Sequence, residues 1–327
     1  MTVHESHTFI RDYSFDVLKG LAIIFMVIGH TIGPESPLHN YIYAFHMPLF
    51  FMVSGYFAKK KKHIDNIISL YSRLIRPFIF ICVIIVLLKF LLYYHTFHSL
   101  HIDYEIILNG VGPGWFLLAM FWGRILFNFL IHLPGFKYLT ITLAISSVPT
   151  FLQWTSLYIN LPFCIMQGLS CTFFIAIGYF VKQAGILKML TRHISIYFCI
   201  SILLWLNTSI FGCIEMSAAH FKFWIIDYMG AIGGTFMSYC IAKLLVNHTE
   251  IIKRVLIQVS IFSLAIFAVH SIDFCVHFWH HLSPIVSPKY MVITILFLRI
   301  ALFYPIIIVT KHIPYLYYLF VGKPQKR

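Results

Sequence analysis

Ionisable side chains recur inside the first hydrophobic run, from Asp16 near its start to His30 near its end. Charged groups in an apolar helix are costly, so they are functional candidates. At 100° per residue, Lys19 and His30 lie about 20° apart and Asp16 about 40° to the other side, so one face carries all three. His30 lies about 16 Å beyond Lys19 along the axis. Its imidazole could transfer protons or form a helix-packing hydrogen bond, and Asp16 with Lys19 could be a plain i,i+3 ion pair.

A second histidine, His46, stands near the start of the next hydrophobic run. It shares a helix face with Phe50 and Ser54, at i, i+4 and i+8. The loop between the two runs is short, so we predict neighbouring helices with His30 and His46 at similar depth. Pro48 removes a backbone donor and is expected to loosen this helix, which is tolerated where the backbone lines a cavity. A plain interfacial position for His46 is the alternative.

Two arginines lie at the mouth of the third hydrophobic run, in the segment Arg73-x-x-Arg76-Pro77. Residues at i and i+3 share a helix face, and planar guanidinium groups suit bidentate contacts with phosphate. Since any inner helix end attracts arginine, the pattern is weak by itself.

Two further candidates stand in later runs. Trp115 follows the glycine-rich turn Gly112-Pro113-Gly114 and could stack on a ligand ring or anchor at the membrane interface. His270 ends the apolar stretch Ile266-Phe267-Ala268-Val269-His270 and could equally be a packing residue. Neither residue type settles the choice.

The composition predicts that these residues lie in an integral membrane protein. Of 327 residues, 60% are hydrophobic and 11% charged, whereas soluble domains carry about 25% charged residues. A span needs roughly 20 apolar residues. Candidate spans lie at residues 15–33, 41–58, 76–94, 114–131, 138–154, 160–181, 194–213, 224–245, 256–279 and 290–311. We therefore predict an all-α, polytopic transmembrane helix bundle of about ten spans, forming a single domain over residues 1–327.

Lysine and arginine are concentrated on one side of this predicted bundle. Numbered from an inside N-terminus, the inner segments hold 18 of the 24, including Lys59 to Lys62, while the outer segments hold only Lys222 and Lys289. Cytoplasmic loops of membrane proteins are enriched in these residues. The distribution predicts cytoplasmic termini and an even number of spans.

The same bias explains the net charge of +13, so nucleic acid is not a predicted partner. The seven cysteines lie in apolar runs without CxxC spacing. This pattern disfavours a disulfide framework and a metal site.

Taken in order along the chain, these residues form a recognisable pattern. Its first part comprises Arg11, Asp16, Lys19-Gly20, Gly29-His30, Phe45-His46-Met47-Pro48-Leu49-Phe50-Phe51 and Ser54-Gly55. Its later landmarks are Arg73-x-x-Arg76-Pro77, Gly112-Pro113-x-Trp115-Phe116-Leu117, Phe173-Phe174, Gly178-Tyr179 and His270. The pattern resembles the acyltransferase 3 family of membrane O-acyltransferases, and more closely its fucose 4-O-acetylase-like branch. Many members carry arginine where this chain has Lys19, and lysine would contact a phosphate only as a point charge.

The resemblance implies a ten-helix bundle in the bacterial cytoplasmic membrane that takes acyl groups, usually acetyl, from cytoplasmic acyl-CoA. It implies a carbohydrate acceptor, either a surface glycan or a lipid-linked precursor. It further implies that His30 is catalytic and that Arg11, Arg73 and Arg76 serve the acyl-donor site. We expect Lys19 to join them around the CoA phosphates. Acetyl-CoA would be a co-substrate, with no permanently bound cofactor or metal.

On this interpretation His30 is a general base for the sugar hydroxyl, and an acyl-histidine intermediate is the variant mechanism. Asp16 lies too far from His30 to orient it and is expected in a structural ion pair. Candidate acceptor or oxyanion contacts are His46, Ser54, Trp115 and His270.

Three other functions fit a bundle with buried charges. A transporter or exporter of a glycan intermediate would be favoured by inverted repeats, which the sequence does not display. A haem electron carrier could use pairs of histidines from different helices as axial ligands. A structural or assembly role is disfavoured by Lys19 and His30 inside a span.

Overall fold

The chain folds into a helical bundle in a computed structural model that describes residues 12–93, 112–134, 136–276, 278–279 and 286–322. The first helices are α1 (Ser14–Ile32), α2 (Pro37–Tyr43), α3 (His46–Tyr56), α4 (His63–Leu70), α5 (Arg76–Tyr93), α6 (Trp115–Leu130) and α7 (Lys137–Trp154). The later helices are α8 (Ile165–Gln183), α9 (Ile186–Arg192), α10 (Ile194–Phe211), α11 (Ile225–His248), α12 (Glu250–Ile261), α13 (Ser263–Val276), α14 (Pro288–Ala301), α15 (Phe303–His312) and α16 (Pro314–Phe320). The remaining regular elements are a π-helical segment (Tyr71–Ile75), three 3-10 turns (Gly112–Gly114, Pro162–Cys164 and Met216–Ala218) and strands β1 (Ile214–Glu215) and β2 (His220–Phe221).

The predicted all-α, polytopic class is confirmed. Each of the ten predicted runs contains helix. Among the described residues, seven helical segments are long and apolar enough to cross a membrane, and the bent pair α12–α13 would make eight. The helices in the other two predicted runs, 41–58 and 138–154, are not both long enough and apolar enough to cross a membrane. The count of ten spans and the side of the termini stay predictions.

The second predicted run is two helices rather than one. α2 ends at Tyr43, a short turn follows, and α3 begins at His46. Pro48 therefore lies in the first turn of α3, where a backbone N–H would have no intrahelical acceptor. The expectation that Pro48 loosens this helix is wrong, because the break lies at Ala44 and Phe45, before the proline.

The ninth predicted run is sharply bent. α12 and α13 meet at Phe262 with an angle of 68° between them. α12 packs along α1, while α13 packs against α5, α15 and α1. The bend thus lets one stretch of chain contact α1 along two different directions.

Glycines allow the central helices to approach closely. α3 packs on α8 where Gly55 meets the backbone of Ile175 and Gly178 meets the backbone of Met52. A Cβ at either glycine would collide with those backbone atoms. Small residues serve this purpose at many membrane helix interfaces. The contact fixes α3, and with it the position of His46 in its first turn.

A small antiparallel hairpin, β1–β2, connects α10 to α11. Glutamines from two neighbouring helices hold it in place. Gln153 of α7 donates from Nε2 to the carbonyl of Ala218 at 2.6 Å, and Gln167 of α8 donates to the carbonyl of Ser217 at 2.7 Å. The hairpin is therefore fixed against α7 and α8.

Candidate active site

Three histidines from three helices converge at the end of α1. The ring centroids of His30 and His270 are 5.3 Å apart, and those of His30 and His46 are 6.4 Å apart. His46 and His270 are buried, and His30 is half-buried. The predicted proximity of His30 and His46 is confirmed, and α13 adds His270. The chemical roles of the three stay predictions.

Hydrogen bonds orient two of these rings. The hydroxyl of Tyr43, the last residue of α2, lies 3.1 Å from Nδ1 of His30. Nδ1 of His46 lies 3.0 Å from the carbonyl oxygen of Ile42. A carbonyl only accepts, so this Nδ1 donates and Nε2 of the neutral His46 ring carries no proton. The Tyr43 ring stacks on His39 with centroids 3.6 Å apart, which holds the phenol against His30.

An ion pair lies beside the histidines. Arg299 of α14 donates from Nε to Oδ2 of Asp273 and from Nη1 to the hydroxyl of Thr31, each at 2.8 Å. Arg299 and His30 line the same cavity, of about 200 Å³. Both ring nitrogens of His270 are buried without a hydrogen-bond partner in the part of the chain that is described. His270 is absent from the walls of that cavity and lines a smaller one, of about 20 Å³, together with Asp273 and Arg299.

A further cavity of about 230 Å³, here called the histidine cavity, touches the same cluster. Trp115, the first residue of α6, and Glu215, from the hairpin, belong to its walls. Its full lining is His30, Tyr43, His46, Met47, Gly112, Pro113, Trp115, Ile214, Glu215, Met216, Ser217 and Phe274. His30 thus borders two cavities, and His46 and Trp115 border only the histidine cavity, which Tyr43 also lines.

The two predicted arginines lie at the junction of the π-helical segment and α5. Arg73 is exposed within the π segment, a helix type that is frequent at functional sites. Arg76 donates from Nη1 to the hydroxyl of Tyr318 at 3.5 Å, and its guanidinium lies over that ring. Arg11, the third arginine implied by the resemblance, lies outside the described residues.

Ser54 lies at the opposite end of α3 from the histidines. Its carbonyl and hydroxyl both accept from Nη1 of Arg124, the hydroxyl at 3.1 Å. Arg124 also lies close enough to Arg73 for electrostatic repulsion. Ser54 is absent from the walls of both cavities at His30. Its position therefore associates it with the arginines rather than with an acceptor at His30.

The start of α1 carries two ion pairs. Lys19 lies 3.4 Å from Asp16, which is the predicted i,i+3 pair. Asp12, just before α1, accepts from Lys243 of α11 at 3.2 Å. Burial raises the pKa of Asp12, but its hydrogen bonds, including the one from Lys243, outweigh this and hold that pKa below its usual value. Lys19 therefore pairs with a carboxylate of its own helix, whereas Arg76 bonds to the hydroxyl of Tyr318.

Four residues at this site were not assigned a role by sequence reasoning: Tyr43, Glu215, Asp273 and Arg299. For Arg299 a clue existed, since a charge inside a predicted span is a functional candidate. For Tyr43 there was none, because tyrosine is common near membrane interfaces.

Comparison with known proteins places this geometry in context. A family model described as an acyltransferase domain matches residues 12–321. The nodulation protein NolL of Mesorhizobium japonicum is 31% identical over 134 residues, which cover 37% of this chain and 36% of that protein. The nodulation protein NolL of Sinorhizobium fredii is 32% identical over 128 residues, 34% of each chain. The matches thus span about a third of the length of these curated relatives. No solved structure matches the chain.

Proposed function

Because the chain belongs to the acyltransferase 3 family, whose domain model covers residues 12–321, we propose that it is a membrane O-acyltransferase. The proposed donor is acyl-CoA, with acetyl the expected group, acting as a co-substrate. The proposed acceptor is a hydroxyl of a cell-surface carbohydrate or of its lipid-linked precursor. The proposed location is the bacterial cytoplasmic membrane. Membership of this family disfavours the alternative of a glycan transporter.

The observation that carries this proposal is the setting of His30. Its imidazole has Nδ1 beside the Tyr43 hydroxyl and borders two cavities. A general base needs one nitrogen free to take a proton and a second contact that fixes the ring. A histidine placed only for helix packing would not need to border two cavities.

The proposed step transfers the acyl group directly. The acceptor hydroxyl gives its proton to Nε2 of His30 as its oxygen bonds to the thioester carbonyl carbon. The tetrahedral intermediate then collapses, the carbon–sulfur bond breaks, and the sulfur takes the proton from the imidazolium. The products are an O-acyl sugar and free CoA. This step requires Nδ1 of His30 to carry a proton and donate it to the Tyr43 oxygen.

The donor side of the proposal uses the cations. CoA carries several phosphates, and Arg73 and Arg76 are suited to bind them, with Arg11 and Lys19 as further predicted contacts. Arg73 supports this role because it is exposed and carries no recorded carboxylate partner among the described residues. The pantetheine arm would then extend toward His30.

The test compares three full-length proteins in lipid nanodiscs: wild type, His30→Gln and His312→Gln. His312 is an exposed histidine of α15 and serves as the matched control. With labelled acetyl-CoA and a surface-glycan extract, we expect His30→Gln to lose acyl transfer by about 10²–10⁴-fold. Acetyl-CoA binding should stay within about twofold. Normal transfer by His30→Gln would remove His30 from the mechanism, and unmodified glycans with wild-type protein would refute the function.

A further inference from the structure

A wide cavity of about 660 Å³ lies next to the histidine cavity. The two share Gly112, Trp115 and Ser217 in their walls. Its volume is within the range of about 300–1,000 Å³ that is usual for small-molecule sites. A molecule in the wide cavity could therefore extend one group past Trp115 into the histidine cavity.

One wall of the wide cavity holds a buried acceptor without a partner. Gln167 is 3% exposed, and its Nε2 donates to the carbonyl of Ser217 at 2.7 Å. That bond fixes the orientation of the amide. Its Oε1 is buried and has no hydrogen-bond partner among the residues the structure describes. Buried polar atoms are normally paired, so this oxygen calls for a donor from a ligand.

A second acceptor faces the same space. The Nε2 of Gln153 donates to the carbonyl of Ala218, so its Oε1 is the atom 2.6 Å from Nδ1 of His220. This oxygen only accepts, so Nδ1 donates, and in the neutral ring Nε2 of His220 is an acceptor. Tyr158 and Asn160, from the loop after α7, add a phenol and an amide to the wall.

The described part of the wall carries no formal charge. Among its described lining residues there is no lysine, arginine, aspartate or glutamate. Carboxylates and phosphates are usually bound by arginine or lysine, so this cavity is poorly suited to them. Trp115 supplies an aromatic face beside the neutral polar groups. Such a surface suits a ring that is apolar on its faces and carries hydroxyls at its edge.

We propose that the wide cavity is the acceptor subsite and that it binds an uncharged sugar residue, with a ligand hydroxyl donating to Oε1 of Gln167. The proposal rests on the proposed acyl transfer and specifies its acceptor. A second hydroxyl of the same residue then reaches the histidine cavity past Trp115. Sugar acids and phosphorylated sugars are excluded from direct contact with this wall.

The first test measures sugar binding without any donor. Full-length wild-type protein in nanodiscs is titrated with methyl glycosides of glucose, galactose and mannose, and with methyl glycosides of the three matching uronic acids, by saturation-transfer NMR. Each pair differs only at C6. We expect at least one neutral glycoside to bind at least about tenfold more tightly than its uronic acid. Equal or tighter binding of the acids, or no binding by any of the six, would overturn the proposal.

The second test removes the unpaired acceptor. Gln167→Leu should weaken binding of the neutral glycoside about tenfold, the loss typical of one hydrogen bond. Gln183→Leu makes the same change at an exposed position of the same helix and should leave binding unchanged. Unchanged binding in Gln167→Leu would overturn the assignment. If Gln167→Leu fails to fold, the comparison of sugar pairs with wild type still decides.

Acyl transfer separates this proposal from the function on which it rests. If the neutral glycoside binds but acetyl-CoA is never consumed, the transferase function fails. If acetyl is transferred and Gln167→Leu keeps the wild-type KM for the sugar, the subsite fails while the function stands.

Discussion

At the scale of single residues, the Tyr43 phenol holds the His30 ring through its Nδ1. A neutral imidazole carries its proton on one nitrogen only. With the Tyr43 oxygen 3.1 Å from Nδ1, a proton on Nδ1 is paired and Nε2 is left free. His39 stacks on the Tyr43 ring and limits its movement. Tyr43 is therefore a positioning residue for His30.

The first prediction concerns Tyr43→Phe. The ring still stacks on His39, but Nδ1 of His30 loses its partner, so the productive orientation becomes less populated. We expect kcat for acyl transfer to fall about tenfold, the equivalent of one hydrogen bond, with the KM for acetyl-CoA unchanged. Tyr41→Phe, on the same helix but against Trp205, is the control. An unaltered kcat in Tyr43→Phe would show that the phenol does not position His30.

Periodicity could predict part of this arrangement. The positions of Asp16, Lys19 and His30 on one face follow from local helix geometry, and the short loop accounts for His46. The contact of Tyr43 with His30 could not be derived in this way, because it depends on where α2 ends and on the rotamer of a tyrosine. The same holds for Gln167, whose role depends on a carbonyl 50 residues away.

At the scale of the helices, Arg299 attaches a peripheral helix to the site. Residues 289–312 comprise most of α14 and all of α15, and only 6% of the most apolar 18 residues of this segment are buried inside the protein. α14 therefore has little packing to hold it. Arg299 bonds to Asp273 on α13 and to Thr31 on α1. Three helices thus meet at one guanidinium group next to His30.

The second prediction concerns this attachment. Arg299→Met leaves the carboxylate of Asp273 buried and unpaired, and we expect a loss of roughly 3–5 kcal/mol of stability. The double variant Asp273→Leu/Arg299→Met removes both charges and should recover most of that loss. The stability of each purified protein is measured by thermal unfolding, with size-exclusion chromatography used to monitor the folded fraction that remains.

The matched control for that series is Arg254→Met, which breaks the exposed i,i+4 pair with Glu250. Surface pairs of this kind contribute little, so its unfolding temperature should stay near wild type. A double variant that is less stable than Arg299→Met would contradict the account.

Helix positions were easier to predict than helix breaks. Apolar runs identified helical segments because about 20 apolar residues are needed to cross the membrane core. The 68° bend at Phe262 has no proline or glycine within it to announce it. It arises from packing, since α12 and α13 each contact α1 and no local preference encodes that.

At the scale of the whole molecule, the charge distribution divides the bundle into two ends. The predicted inner segments hold 18 of the 24 lysines and arginines. Arg73, Arg76 and Arg124 lie toward that end, while the hairpin and the histidine cluster lie toward the other. A donor from the cytoplasm and an acceptor from outside would then approach the site from opposite ends.

The last prediction is that the α2–α3 pair crosses the membrane. The 11 residues of α3 rise about 16 Å, about half of a hydrocarbon core of about 30 Å. Most of α3 is buried against other helices, and broken helices are tolerated at membrane depth when protein surrounds them. Glu35, before α2, and Lys60, after α3, are both exposed and should therefore lie on opposite sides.

Cysteines placed at these two positions, in a background without the native thiols, decide the matter. A membrane-impermeant maleimide applied to intact spheroplasts should label Glu35→Cys and should label Lys60→Cys only after lysis. Labelling of both before lysis would mean that α2–α3 turns back on the outer side, because the chain would not have crossed between them. Every later segment would then change sides, and 17 of the 18 inner cations, all except Arg11, would face outward against the usual distribution. The proposed entry of acyl-CoA from the cytoplasm past Arg73 and Arg76 requires that Lys60→Cys is labelled only after lysis.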